Sequence, residues 1–319
     1  MATAFVFPGQ GSQAVGMGRD LAEAFPAARH VFQEVDDALS QKLSKLMWEG
    51  PQEDLTLTAN AQPTLMAHSL AVVRVLEAEG GFVLAERVAL VAGHSLGEYS
   101  ALTAAGAFDV ATAARLLRLR GEAMQKATPP GTGAMAALLG AEIDLAREIC
   151  AAAAPDPETG QAEVVEAAND NGGGQVVISG AKAAVERAIE VAKERGVKRA
   201  MLLPVSAPFH CALMAPAADA MAEALATAQM RAPLVPVVAN VTAAKASDPA
   251  AIRDLLVKQV TGTVRWRECV AAMAAMGCDR FVEVGAGKVL TGLMKRNAPE
   301  ATALAIGTPA DVEAFLKTV

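Results

Sequence analysis

The apolar positions of the chain alternate between two periods, and the changes of period mark its elements. Thr3 to Phe7 is a short apolar run that meets the turn Pro8-Gly-Gln-Gly11, and it predicts a strand. Helical spacing follows over Met17 to Asp37 and over Pro63 to Glu79. Arg87 to Ala92 is a continuous apolar run of strand length, which suits a parallel strand buried on both faces. It ends at Gly93, and helical residues resume at Leu96. Ala111 to Lys126 predicts another helix, stopped by Pro129-Pro-Gly131.

Beyond that stop the elements shorten. Strands are expected at Gly133 to Leu139, Glu163 to Ala168, Gln175 to Ser179 and Arg199 to Pro204, with helices at Ile143 to Ala152 and Ala183 to Arg195. The order is βαββαβ, the pattern of a small ferredoxin-like unit. Longer helices then return at Ala215 to Ala228, Ala250 to Val260 and Arg267 to Met276, with strands at Leu234 to Ala239 and Arg280 to Val284. The expectation is an α/β chain. A large parallel-sheet domain spans residues 1–130 and 204–319, with a small domain, 131–203, inserted between its halves.

Composition narrows the classes of function. The chain has 319 residues, 53% of them hydrophobic, 20% charged, and a formal net charge of −7. That length supports one large or two ordinary domains with a sizeable core. An acidic chain does not offer the basic face that general nucleic-acid binding requires. Ala200 to Ala218 carries no charged residue, yet Pro204, Pro208 and Pro216 break it and His210 sits within it, so no membrane helix is expected. The start, Met1-Ala-Thr-Ala-Phe-Val-Phe7, lacks the basic residues and long apolar stretch of a signal peptide. Cys150, Cys211, Cys269 and Cys278 are scattered without metal-site spacing, which fits reduced thiols in a cytoplasmic protein and no bound metal.

The strongest chemical signal is Gly93-His-Ser-Leu-Gly97, a G-x-S-x-G pattern between an apolar strand and a helix. Small neighbours allow a strained turn to project Ser95 outward, and the following helix offers free N–H groups to a developing oxyanion. The plain alternative is a serine that caps the next helix. A serine nucleophile needs a base, and imidazole suits neutral pH. His30 and His68 lie on helical stretches and read as surface or packed residues. His94 is expected to point away from Ser95 along the turn. His210, in the proline-bounded segment Val205-Ser-Ala-Pro-Phe-His-Cys211, is the best candidate. Two glycine-rich turns are set aside as nucleotide sites. Gly9-Gln-Gly-Ser-Gln-Ala14 lacks the second strand and acid of a dinucleotide fold, and Gly285-Ala-Gly-Lys288 is followed by Val289 where Ser or Thr is required.

Taken together, the motifs resemble the malonyl-CoA:acyl-carrier-protein transacylase family, in its stand-alone bacterial form. They are Phe5-Val-Phe-Pro-Gly-Gln-Gly-Ser-Gln13, Leu57-Thr-Ala-Asn-Ala-Gln-Pro63, Gly93-His-Ser-Leu-Gly-Glu-Tyr-Ser-Ala101 and Arg118-Leu-Arg-Gly-Glu-Ala-Met-Gln125. Gln175-Val-Val-Ile-Ser-Gly180, His210-Cys-Ala-Leu-Met214 and Glu283-Val-Gly-Ala-Gly-Lys-Val-Leu-Thr-Gly292 complete the set, in order along nearly the whole chain.

The resemblance implies an α/β-hydrolase-like domain with the ferredoxin-like insertion. It implies transfer of malonyl from malonyl-CoA to an acyl-carrier protein in fatty-acid synthesis, by a ping-pong route and without a cofactor. Ser95 would be the nucleophile and His210 its base. The backbone carbonyl of Gln259 would orient the imidazole, and the N–H groups of Leu96 and Gln10 would form the oxyanion hole. Arg120 would hold the malonyl carboxylate, since a planar guanidinium accepts it with two charge-assisted hydrogen bonds. Phe209 would restrict a methyl branch, and Met124 and His94 would face the substrate. Asn169 and Gln175 would lie near the pantetheine arm, although the loop Asn169-Asp-Asn-Gly-Gly-Gly174 departs from the proline-containing form of relatives. Docking of an acidic carrier protein is expected at Lys295 and Arg296; the plain alternative there is a helix end with favourable charge. A serine hydrolase and a non-catalytic carrier-binding module are the competing functions, and Arg120 argues against the first.

Overall fold

The computed structural model describes residues 2–205 and 207–318. Among the described residues ten strands form two sheets. The larger has six, in the order β10 (Thr302–Ile306), β9 (Cys278–Val284), β1 (Ala2–Phe7), β2 (Leu90–Gly93), β7 (Val237–Val238) and β8 (Lys245–Ala246). Its first five strands run parallel, and β8 returns antiparallel to β7.

The central strands β1 and β2 are almost wholly apolar because helices cover both faces. Phe5 and Phe7 of β1 pack to one side with Val91, Val282 and Val284. Ala4 and Val6 pack to the other with Leu90, Ala92 and Trp266. β1 pairs with β2 in register, so Phe7 lies opposite Gly93 and both strands end at the same rim. That rim carries the loop after β1 and the turn after β2.

The second sheet is antiparallel, in the order β4 (Val165–Asp170), β5 (Gln175–Ala181), β3 (Gly133–Leu139) and β6 (Arg199–Leu202). The helices Ile143–Ala153 and Lys182–Glu194 cover one face, around Leu138, Ile149, Ile178 and Val185. From the other face Met135 and Val177 turn toward the large sheet's rim. β4 is tied to the segment after the helix Pro249–Thr261. Val264 donates to Ala168 O and accepts from the Asp170 N–H, both at 2.9 Å. Arg267 pairs with the buried Asp170 carboxylate at 2.9 Å.

Several boundaries differ from the sequence expectation. The helical stretch Met17 to Asp37 is two helices, Arg19–Ala24 and Pro26–Leu39, because Pro26 cannot continue a helix and starts a new one. The helix expected from Pro63 begins at Thr58 and runs to Gly80, with Pro63 inside it. Its burial along nearly its whole length outweighs one missing hydrogen bond. The strand expected over Arg87 to Ala92 is shifted to Leu90–Gly93, and Leu84–Arg87 is a helical turn. The edge strand Thr302–Ile306 and the helix Pro309–Leu316 were not expected.

The four cysteines are buried and unpaired. Among the described residues no helix is long and apolar enough to cross a membrane. No cluster of three or more His, Cys, Asp or Glu there could hold a metal ion.

Gly121 sets the spacing of the two helices that face the site. A Cβ there would lie 2.6 Å from both the Ala59 Cα and the Thr58 carbonyl oxygen. Gly121→Ala is therefore expected to destabilise the protein by about 1–3 kcal/mol despite alanine's better helix propensity. A thermal melt checks this, and an unchanged Tm would mean the two helices separate without cost.

Candidate active site

Ser95 occupies the turn between β2 and the helix Gly97–Ala104, with φ +54°. Its neighbours could not carry side chains. A Cβ on Gly93 would fall 1.9 Å from the Gly97 carbonyl, and one on Gly97 would fall 2.3 Å from Phe7 O. The turn is further tied to β1, since the His94 N–H donates to Phe7 O at 3.0 Å. Ser95 is thereby held in a left-handed backbone that a non-glycine residue adopts only at a cost.

The Ser95 Oγ lies 2.8 Å from His210 Nε2. His210 Nδ1 lies 2.9 Å from the Gln259 carbonyl oxygen. A carbonyl only accepts, so Nδ1 carries the proton and Nε2 is free to accept from the serine hydroxyl. His210 is almost fully buried. Burial, and then the charge of Arg120, push its pKa down to about 3, against a smaller upward pull from the Gln259 carbonyl.

Arg120 is buried on the helix Val110–Lys126, at 1% exposure, with no carboxylate hydrogen-bonded to it among the described residues. Its Nη1 donates to Gln62 Oε1 at 2.8 Å. Its Nη2 donates to Gln259 Oε1 at 3.0 Å and to Ser95 Oγ at 3.2 Å. Its guanidinium lies 5.7 Å from the Tyr99 ring centroid, and its Nε has no partner. The result is a desolvated cation, surrounded by neutral acceptors, beside a hydroxyl paired with an imidazole.

All three side chains face one cavity of about 430 Å³. Met124, Met135, Val177 and Phe209 give it apolar walls; Asn169, Asn171 and His94 add polar ones. Leu96 and Gln10 also line it, and their backbone N–H groups make no hydrogen bond among the described residues. The family model for acyl transferase domains matches residues 4–313. The malonyl CoA-acyl carrier protein transacylase of Escherichia coli K12 is 48% identical over 314 residues, covering 98% of each chain. That of Bacillus subtilis is 43% identical over 316 residues, 99% of this chain and 96% of the relative. The crystal structure of the acyl-carrier-protein S-malonyltransferase of Bartonella henselae superposes with a TM-score of 0.95 at 56% identity, covering 100% of this chain and 99% of that one. A malonyl-transacylase solved in complex with its type II polyketide acyl-carrier protein gives 0.94 at 44% identity, with both chains fully covered. The chain belongs to the malonyl CoA-acyl carrier protein transacylase family.

In this transacylase-family chain, the residues expected from sequence fall into three places. Ser95, His210, Arg120, Leu96, Gln10, Phe209, Met124, His94 and Asn169 line the cavity. Gln259 stands behind it, fully buried. Lys295 and Arg296 are exposed at the end of the helix Val289–Asn297, whose first turns supply Val289, Leu290 and Leu293 to the cavity wall.

Gln175 is not among the residues that line the cavity, whereas Asn171 is. Gln175 starts β5, and its backbone closes the loop by accepting from the Asn171 N–H and donating to Gly172 O. One expectation is corrected: His94 does not turn away from the site. Its ring lines the cavity with Nε2 2.8 Å from Asn171 Oδ1, so it donates there.

Gln62, Asn171, Asn240 and Glu98 were missed. Gln62 and Glu98 stand inside the matched motifs, and an acid within the apolar helix Gly97–Ala104 was a visible signal. Asn240 ends an apolar strand segment, and nothing in the one-dimensional pattern singles it out.

The depressed pKa of His210 fixes a pH dependence. Its folded value of about 3 lies below the ordinary 6.5, so on acidification the unfolded chain takes up the proton first. The stability contributed by the neutral, buried ring is complete above about pH 6.5 and is lost as pH falls toward 3. Burial lowers the pKa of His68 and His94 in the same direction. Labelled-histidine NMR should show His210 neutral at pH 5. A ring titrating near pH 6.5 would contradict the desolvated pocket.

Proposed function

We propose that the chain transfers a malonyl group from malonyl-CoA to the phosphopantetheine thiol of an acyl-carrier protein, in fatty-acid synthesis, by a ping-pong mechanism. The reading rests most on one observation: the buried guanidinium of Arg120 stands 3.2 Å from the Ser95 Oγ that His210 also engages. A serine that handled plain acyl groups would gain nothing from a buried cation in its pocket. A malonyl group presents a carboxylate there.

In the first half-reaction Ser95 Oγ attacks the thioester carbonyl while His210 Nε2 takes its proton. The Gln259 carbonyl stabilises the imidazolium through Nδ1. The N–H groups of Leu96 and Gln10 receive the oxyanion, aided by the positive end of the helix Gly97–Ala104. Collapse breaks the C–S bond, and coenzyme A leaves as the thiol with the proton from His210. In the second half-reaction His210 takes the carrier's thiol proton, the thiolate attacks the malonyl ester, and the proton returns to Ser95. No cofactor enters this scheme, and coenzyme A is part of a substrate.

Arg120 binds the malonyl carboxylate by exchanging its neutral partners for charged oxygens. Phe209 narrows the wall against a methyl branch, and Met124 and His94 complete that wall. Asn169 and Gln175 lie near the pantetheine arm, and Asn171, which lines the cavity, faces it with Asn169. Lys295 and Arg296, exposed at the end of the helix Val289–Asn297, form the docking patch for an acidic carrier. Residues 1–130 and 204–319 form the catalytic domain and 131–203 the small domain. The reading places the protein in the cytoplasm, where this chemistry's substrates are made.

Mixing the protein with malonyl-CoA should add a malonyl mass to Ser95 by peptide mass spectrometry, and Ser95→Ala should remove it. Arg120→Ala should lower malonyl kcat/KM on the order of 100-fold or more, since two charge-assisted hydrogen bonds are lost. The same variant should favour acetyl relative to malonyl, and an unchanged preference would take Arg120 out of the carboxylate role. Reversing the charges of Lys295 and Arg296 should raise KM for the carrier protein and leave that for malonyl-CoA nearly unchanged. Equal effects on both would count against docking there.

A further inference from the structure

Behind the nucleophile turn lies a buried polar cluster that does not face the cavity. Glu98, at 1% exposure, sits in the first turn of the helix Gly97–Ala104. Its Oε2 accepts from the Asn240 backbone N–H and from Gln259 Nε2, both at 2.9 Å. Asn240 spans the turn itself. Its Oδ1 accepts from the Ser95 N–H at 2.8 Å, and its Nδ2 donates to Gly93 O at 2.7 Å.

Gln259 is the junction. Its Nε2 also donates to Ser95 O at 3.0 Å and to Asn240 Oδ1 at 3.2 Å. Its Oε1 accepts from Arg120 Nη2, and its backbone carbonyl holds His210. A carboxamide can be rotated end for end with little change in shape, so its neighbours must choose its orientation. Here three acceptors face one end and a cation faces the other. Rotation would set Oε1 against those acceptors and the amide hydrogens against the guanidinium. None of the three oxygens donates as it stands, but Glu98 alone is a carboxylate, whose charge strengthens its hold on the amide hydrogens and which alone can gain a proton and become a donor.

We propose that Glu98 is a positioning residue for the transfer reaction: its carboxylate fixes the Gln259 amide, and through it the alignment of Arg120 on Ser95. The proposal rests on the acyl-serine reading above and adds to it a residue that touches no substrate. Burial raises the Glu98 pKa to about 7, against the pull of hydrogen bonds from Asn240 and Gln259 and the charge of Arg120. The titratable and charged groups around it are Arg120, the Tyr99 phenol on its own helix and the Cys269 thiol of the helix Trp266–Ala275. Protonation would let Glu98 donate and remove its preference for the amide hydrogens. Activity should therefore fall as pH drops through about 7.

The test uses the full chain as wild type, Glu98→Ala and Glu98→Gln. For each, kcat/KM is measured with malonyl-CoA and acetyl-CoA from pH 5.5 to 8.5, with holo carrier protein as acceptor, beside a thermal melt. Glu98→Ala is expected to lose 10-fold or more with malonyl-CoA and to narrow the malonyl-over-acetyl preference, because Arg120 loses its fixed partner. Glu98→Gln carries the donor and acceptor of the protonated acid, so it should stay near the wild type's low-pH rate even at pH 8, with the acid limb near pH 7 gone. Equal losses for both acyl groups in folded Glu98→Ala would overturn the proposal. So would an acid limb that persists unchanged in Glu98→Gln, the variant that decides the matter should Glu98→Ala not fold. A wild-type chain that forms no malonyl-Ser95 would instead overturn the acyl-serine reading, and this inference with it.

Discussion

The site depends on a single steric constraint, the tight passage from β2 into the helix Gly97–Ala104. Gly93 and Gly97 nearly touch across the turn, and Gly97 also abuts the end of β1. That closeness forces Ser95 into a left-handed backbone and lifts its hydroxyl out of the sheet's plane. It also aligns the rim so that the loop carrying Gln10 and the turn carrying Leu96 reach the same cavity. A side chain at either glycine would separate the strand end from the helix start, and the serine, the N–H groups and the helix dipole would no longer converge.

The electrostatics of the pocket follow from what it withholds. Arg120 is surrounded by Gln62, Gln259, Ser95 and Tyr99, which offer dipoles but no neutralising charge. The nearest acid, Glu98, is engaged elsewhere by Asn240 and Gln259. A desolvated cation in this state interacts strongly with an incoming anion, because little water must be reorganised. The same charge helps keep His210 neutral and so available as a proton acceptor. One guanidinium thus adds to what burial does to the His210 ring and is itself left without a neutralising partner.

Much of this was legible in one dimension, for reasons that differ by residue. The apolar run before Gly93, the two glycines and the serine between them are each required by the turn, so the turn is written in consecutive letters. The alternating order of strands and helices after Pro129 likewise encoded the second sheet. The helical periodicity over Met17 to Asp37 did not show the break at Pro26 that divides it into two helices. Asn171 was missed because a loop decides which of its polar residues points inward, and that choice depends on backbone dihedrals across three glycines. Asn240 was invisible because its partners, Gly93 and Ser95, lie some 145 positions away in the chain. Contacts of that kind come from topology, and no local pattern announces them.

The four cysteines gain a chemical meaning from where they sit. Burial raises the thiol pKa of Cys150 to about 12 and of Cys211 to about 11, and it raises those of Cys269 and Cys278 as well. Cys211, adjacent in sequence to His210, is turned inward with its Sγ donating to Pro208 O at 3.2 Å. Thiolates are the species that exchange with thioesters, and at neutral pH none of these four supplies one. The buried thiols of this transacylase-family chain therefore stay protonated and are poor nucleophiles toward an acyl thioester.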